Sequence, residues 1–192
     1  MKYNLKIILA STRPGRKGIA VARWIEEIVG QDDRWEVEFL DLKKVDLPFL
    51  DEAAHPRLRK YEHDHTHDWS RSIDEADAFI FVTAEYNHLP PPTLLNAVNF
   101  LNQEWSEKPV GFVSYGGVSG GTRAVEALIP GITALGMMPM PLAVNIPFFA
   151  KFIDDQGSFN ADKVQVKAAQ NMLDQLHRWT RALTQMRKSG QD

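Results

Sequence analysis

The chain of 192 residues is long enough to bury a sizeable core within one domain, and its balance of apolar and charged residues is that of an ordinary globular protein. A formal net charge of -3 at pH 7 gives no electrostatic reason for a nucleic-acid or membrane partner. The absence of cysteine removes disulfides, thiolate metal sites and cysteine nucleophiles, and with them the cysteine phosphatases.

Met1 to Asn4 lead directly into a strand without an h-region and cleavage site, and no apolar stretch is long enough to span a bilayer. A cytoplasmic location and a single domain over residues 1–192 are the expectations. Ile7-Ile8-Leu9-Ala10 then breaks into Ser11-Thr12-Arg13-Pro14-Gly15-Arg16-Lys17-Gly18. This reads as a strand, a basic loop and a helix start, where free N–H groups and the positive end of the helix dipole favour an anion. Val21, Trp24, Ile25 and Ile28 follow at the three-and-four spacing of one helix face, with Gly30 as a stop. Glu36 to Asp41 reads as a second strand, and Leu42 to His55 as a surface loop.

Pro56 to Asp68 is polar and carries His63, His65 and His67, leading into a short helix over Trp69 to Asp77. No acidic or cysteine partner cluster accompanies these histidines, so they are assigned to a solvated loop or helix entry and no metal ligand is named. Ala78 to Thr83 is continuously apolar, as a parallel strand buried on both faces should be. The loop Ala84 to Pro92 follows, then a helix from about Thr93 with Leu94, Leu95, Val98 and Leu101. The pattern repeats as a strand over Val110 to Ser114, a glycine-rich loop from Tyr115 to Gly121 and a helix over Thr122 to Leu135, which Pro130 should kink or end early. Met137 to Val144 is the expected fifth strand, Asn145 to Ser158 a loop, and Ala161 to Lys188 a closing helix. Met172, Leu176, Trp179, Leu183 and Met186 form its expected core-facing stripe.

Strands alternating with helices predict an α/β fold with a five-stranded parallel sheet covered on both faces. Ligands bind such sheets outside the carboxyl ends of the strands. The three loops of unusual composition, Ser11 to Gly18, Ala84 to Pro92 and Tyr115 to Gly121, all lie there and should converge. Hydroxyls and guanidinium groups in the first suit a terminal phosphate. Glycines in the third allow close approach to a flat ligand, and Glu85, Tyr86 and Asn87 can donate and accept along a heteroaromatic edge. A phosphate at one end and a planar ring at the other outline a mononucleotide, and FMN fits that outline.

The motifs Ser11-Thr12-Arg13-Pro14-Gly15-Arg16, Glu85-Tyr86-Asn87 with a following proline and Asn96, and Tyr115-Gly116-Gly117-Val118-Ser119-Gly120-Gly121-Thr122-Arg123 resemble those of the NAD(P)H-dependent FMN reductases. The resemblance runs from the first strand to about Pro141. It implies a flavodoxin-like strand order 2-1-3-4-5, bound FMN, and a homodimer or homotetramer. Carried over by position, it places Ser11, Arg13 and Arg16, with the backbone through Gly18, on the phosphate. Glu85, Tyr86 and Asn87 would line the isoalloxazine, with Tyr115, Gly116 and Gly117 on its other side and Ser119 and Gly120 close by. Ala84 and Ser114 complete the cofactor-binding set, and His88 with Tyr86 would line the substrate space. Ala84, His88 and Leu95 depart from the commonest family residues, which bears on the rim of the pocket and the acceptor.

The implied activity is reduction of a flavin, quinone or azo acceptor at the expense of NADH or NADPH. The cofactor performs the hydride chemistry, so no side chain is assigned as an acid or base. One pocket serving donor and acceptor in turn predicts ping-pong kinetics. The rival from another class is a flavin-binding redox sensor or electron carrier. A phosphorylation receiver domain is set aside because Ala10-Ser11 lacks the acidic pair that would hold magnesium.

Overall fold

Apolar runs at Tyr3–Leu9 (β1) and Ala78–Ala84 (β3) pair in parallel at the centre of the sheet in the computed structural model, which describes residues 2–189. Trp35–Asp41 (β2) flanks β1, and Pro109–Tyr115 (β4) flanks β3. Beyond β4 lie Met138–Pro139 (β5) and Val144–Ile146 (β6), giving the order β2-β1-β3-β4-β5 with β6 also paired to β4. Every one of these ladders is parallel, which explains why β3 and β4 are buried along their whole length.

Alternation along the strands divides the core in two. Leu5, Ile7, Leu9, Ile80 and Val82 face helices Gly18–Gly30 (α1) and Lys163–Ser189 (α6). Ile8, Phe79, Phe81 and Phe112 face Asp64–Asp74 (α3), Pro92–Asn99 (α4) and Thr122–Ala134 (α5). A single turn of helix, Leu42–Val45 (α2), continues β2, with the Asp41 carboxylate accepting from the Lys43 N–H. Among the described residues no helix is long and apolar enough to cross a membrane.

Four local expectations are corrected. The fifth strand is two short pieces instead of one run over 137–144, because Pro139 and Pro141 lack the N–H that a ladder needs. Pro130 neither breaks nor shortens α5; it sits on the exposed side with Glu126. The helix expected over 69–77 is Asp64–Asp74 instead, so the histidines stand at its entry, with His63 at the cap position. His63 and His65 stack at 5.2 Å beside Asp51, and His65 Nε2 lies 3.0 Å from its carboxylate. Finally, the buried face of α6 runs through Ala169, Met172, Leu173, Leu176, Thr180 and Leu183, leaving Trp179 and Met186 partly exposed.

Candidate functional site

The three loops meet at the carboxyl ends of β1, β3 and β4, around a cavity of about 640 Å³. One end is built by the first loop. Gly15 takes φ +64° and Arg16 N–H closes a turn on the Arg13 carbonyl, which delivers the chain to α1 at Gly18. The start of α1 has no side-chain cap and no acidic residue in its first turn, so its first N–H groups keep their donor capacity.

Arg16 is already committed. Its guanidinium donates twice to Asp41, at 2.5 Å each, and to the Ser11 carbonyl at 2.6 Å. Asp41 is only 4% exposed. Burial opposes its charge, but the Arg16 and Lys43 donors and the nearby positive charge outweigh that and hold its carboxyl below the usual range. Arg16 thus fastens the first loop to the end of β2 while lining the cavity. Arg13 has no such tie, lies 5.6 Å from the centre of the Tyr86 ring and faces the same space.

Tyr115 connects the two ends. Its ring packs against Phe149 at 4.8 Å, and its hydroxyl reaches Gly18, where a Cβ would come within 2.5 Å of Cζ and closer still to the oxygen. Only glycine fits there. That hydroxyl is buried with no hydrogen-bond partner, Ser11 Oγ being engaged with the Tyr86 hydroxyl at 3.0 Å. Burial pushes the Tyr115 phenol up, so it stays a donor. An unspent donor beside an uncapped helix start suits a phosphate.

The other end is glycine backbone. Gly116 has its Cβ position 3.3 Å from Gly121 N, and Gly121 is at φ +87° against Ser114 and Tyr115. Ser114 Oγ lies 2.8 Å from both the Gly120 carbonyl and Asn145 Oδ1, which pins this loop from below. Glu85 braces it from the side: its carboxylate, 6% exposed, accepts from Ser119 Oγ at 2.7 Å and from Arg123 Nε at 2.7 Å, with a second ion-pair contact to Arg123 Nη2. Desolvation works against the Glu85 charge, yet Arg123 and Ser119 hold its carboxyl below the ordinary value. Asn87 and His88 form a tight reversal with φ +51° and +69° between the paired Tyr86 and Leu89.

Of the residues singled out from sequence, Ser11, Arg13, Arg16, Gly18, Ala84, Glu85, Tyr86, Tyr115, Gly116 and Gly117 line the cavity. Asn87, His88, Ser114, Ser119 and Gly120 stand outside its lining, the first two exposed and the other three supporting it. Asn96 also supports: it donates to the Pro48 carbonyl and accepts from Leu50 N–H, tying down the loop after α2. The wall that sequence reasoning missed is Phe148 to Lys151, carried over the glycine loop by Phe148 N–H on the Gly117 carbonyl and Phe149 N–H on Gly116. The one signal for it was a pair of aromatic residues in a segment with no period. Among the described residues, no group of three or more His, Asp or Glu is placed to hold a metal ion.

The fold and the sequence have counterparts. FerB of Paracoccus denitrificans, a flavoenzyme NAD(P)H:(acceptor) oxidoreductase, superposes with a TM-score of 0.73 at 22% identity, covering 94% of this chain and 98% of that one. An NAD(P)H-dependent FMN reductase of Schizosaccharomyces pombe is 33% identical over 75% of this chain and 74% of its own. A quinone reductase of Pseudomonas putida is 30% identical over 93% and 95%. The sequence profile of the NADPH-dependent FMN reductases matches residues 4–151. With that match spanning most of the chain and all three cavity loops, the protein belongs to the NADPH-dependent FMN reductase family of oxidoreductases, with a flavodoxin-like fold.

Proposed function

We propose that this cavity binds FMN and that the protein passes a hydride from NADH or NADPH to a flavin, quinone or azo acceptor by a ping-pong mechanism. The observation that carries the reading is the pairing of an uncapped α1 start with the orphaned Tyr115 hydroxyl at one end and a glycine loop at the other. The names of the relatives support the same chemistry.

In this reading Arg13, Ser11, the Tyr115 hydroxyl and the first N–H groups of α1 hold the phosphate. Gly116 and Gly117 lie against the ring, and Tyr86 borders it. Bound FMN supplies the hydride-accepting and hydride-donating centre. The remaining work of the chain is orientation and exclusion of water. Glu85, kept ionised by Arg123 and Ser119, braces the ring end and is not a proton donor. Because donor and acceptor share one cavity, the first product must leave before the acceptor enters. A homodimer or homotetramer in the cytoplasm completes the proposal, and sedimentation of the purified protein tests the assembly.

The decisive experiment is an absorbance spectrum of the purified protein with added FMN, followed by NADH or NADPH without oxygen and then a quinone. Flavin bleaching by the nicotinamide and recovery with the quinone, with parallel double-reciprocal plots, is the expected result. A yellow protein indifferent to both nicotinamides would instead make it a flavin-binding sensor or carrier.

A further inference from the structure

We propose that Phe148 and Lys151 form a subsite at the rim of the cavity for the adenosine 2′-phosphate end of the hydride donor, so that NADPH is taken in preference to NADH. This rests on the FMN reading of the same cavity and adds to it the recognition of the second ligand.

Charge balance gives the first argument. Two of the ionised pairs at the cavity cancel internally, Arg16 with Asp41 and Glu85 with Arg123. Arg13, Lys17 and Lys151 remain, all lining the cavity and none paired with a carboxylate among the described residues. A phosphate monoester carries about two negative charges near pH 7 and answers two of these cations. The third is left free to meet another anion.

The wall itself supplies the second argument. Phe148 is an aromatic residue at φ +50°, a conformation that side chains other than glycine rarely adopt, and it is 49% exposed. Hydrophobic burial does not explain a bulky ring held at such a backbone angle beside an open cavity. The angle is fixed by the Phe148 N–H on the Gly117 carbonyl and by the turn that Lys151 N–H closes on the Phe148 carbonyl. The same turn puts Lys151 Nζ 4.9 Å from the centre of the Phe148 ring. A nucleobase finds stacking area on an exposed aromatic ring, and a phosphate next to it finds an ammonium. Adenosine 2′-phosphate offers both groups one sugar apart, and NADH lacks the phosphate.

The test uses FMN-loaded protein and two unreactive probes, adenosine 2′,5′-bisphosphate and AMP, titrated by calorimetry, alongside kcat/KM for NADPH and NADH. The bisphosphate is expected to bind about tenfold more tightly than AMP and to compete with NADPH. Lys151→Ala should bring the two probes within about twofold and lower the NADPH/NADH ratio of kcat/KM by a similar factor, while Lys151→Arg retains the discrimination. Equal binding of the two probes to the unmodified protein, or discrimination unchanged in Lys151→Ala, overturns the proposal. Loss of flavin from Lys151→Ala overturns it differently, by placing Lys151 on the FMN phosphate. If the unmodified protein takes up no FMN, the cofactor reading itself fails, and the spectrum separates that outcome from the others.

Discussion

The hydroxyl of Ser119 donates to the carboxylate of Glu85 at 2.7 Å, joining two loops that leave the sheet from different strands. Arg123, in the first turn of α5, holds the same carboxylate. Removing Arg123 strands a nearly buried charge, whereas the arginine itself is partly solvated, so Arg123→Ala is expected to destabilise the fold by about 2 kcal/mol. Adding Glu85→Gln should recover part of the loss, because a neutral amide is less costly to leave unpaired. Urea unfolding of the single and double variants checks both statements. A double variant less stable than Arg123→Ala alone would contradict the brace.

Acid should release the first loop. Asp41 titrates below the ordinary carboxylate value in the folded protein. Its stabilisation is therefore complete above about pH 4, the unfolded value, and is lost as pH falls through the depressed folded value. Asp41→Asn is expected to be less stable than the parent at neutral pH by about 1–2 kcal/mol, with the gap narrowing in acid. Thermal unfolding followed from neutral pH down to about pH 2.5 measures it. A gap independent of pH would mean that the Arg16 pair contributes nothing through charge.

Tyr115→Phe should move two properties in opposite directions. Without ligand, deleting a buried hydroxyl that has no partner is expected to leave stability unchanged or raise it by up to about 1 kcal/mol. With FMN, the loss of a donor to a charged group should weaken binding about tenfold. Melting temperatures with and without FMN separate the two effects.

Arg13 keeps its charge free for a ligand, in contrast to Arg16. Arg13→Ala is expected to weaken FMN binding by roughly 1.5–3 kcal/mol, the scale of a charge-assisted hydrogen bond. Flavin fluorescence titration reads this directly, and an unchanged affinity would remove Arg13 from the phosphate.

The alternation of strands and helices and the three converging loops were legible in the sequence because Ile7 to Ala10 and Ala78 to Val82 are continuously apolar, and because the chain breaks into glycine, serine and arginine at the ends of its strands, whereas the strand order came from the family resemblance. What each polar residue is bonded to was not. Arg13 and Arg16 look alike in the sequence, and only the pairing of β1 with β2 brings Asp41 to one of them. Glu85, likewise, has the chemistry of a ring contact, but its partners come from 34 and 38 residues further on. Phe148 to Lys151 had no periodicity to read, since their placement follows from backbone bonds to Gly116 and Gly117. The continuation of α5 through Pro130 was not legible either, since the packing of Val125, Leu128 and Ile132 that carries the helix past it is tertiary.

The interruption of the last strand carries the chain toward the aromatic side of the cavity. Residues 140–143 bridge between β5 and β6, while only Gly111 and Phe112 separate their partners on β4. The aromatic wall begins one intervening residue after β6, so the length of that bridge, together with the backbone bonds to Gly116 and Gly117, sets where it lies. A slip of one residue in the pairing of β6 with β4 would exchange which of its side chains face the core, because strand side chains alternate. The proline-bounded joint is thus one of the elements that set how far the aromatic wall stands over the glycine loop.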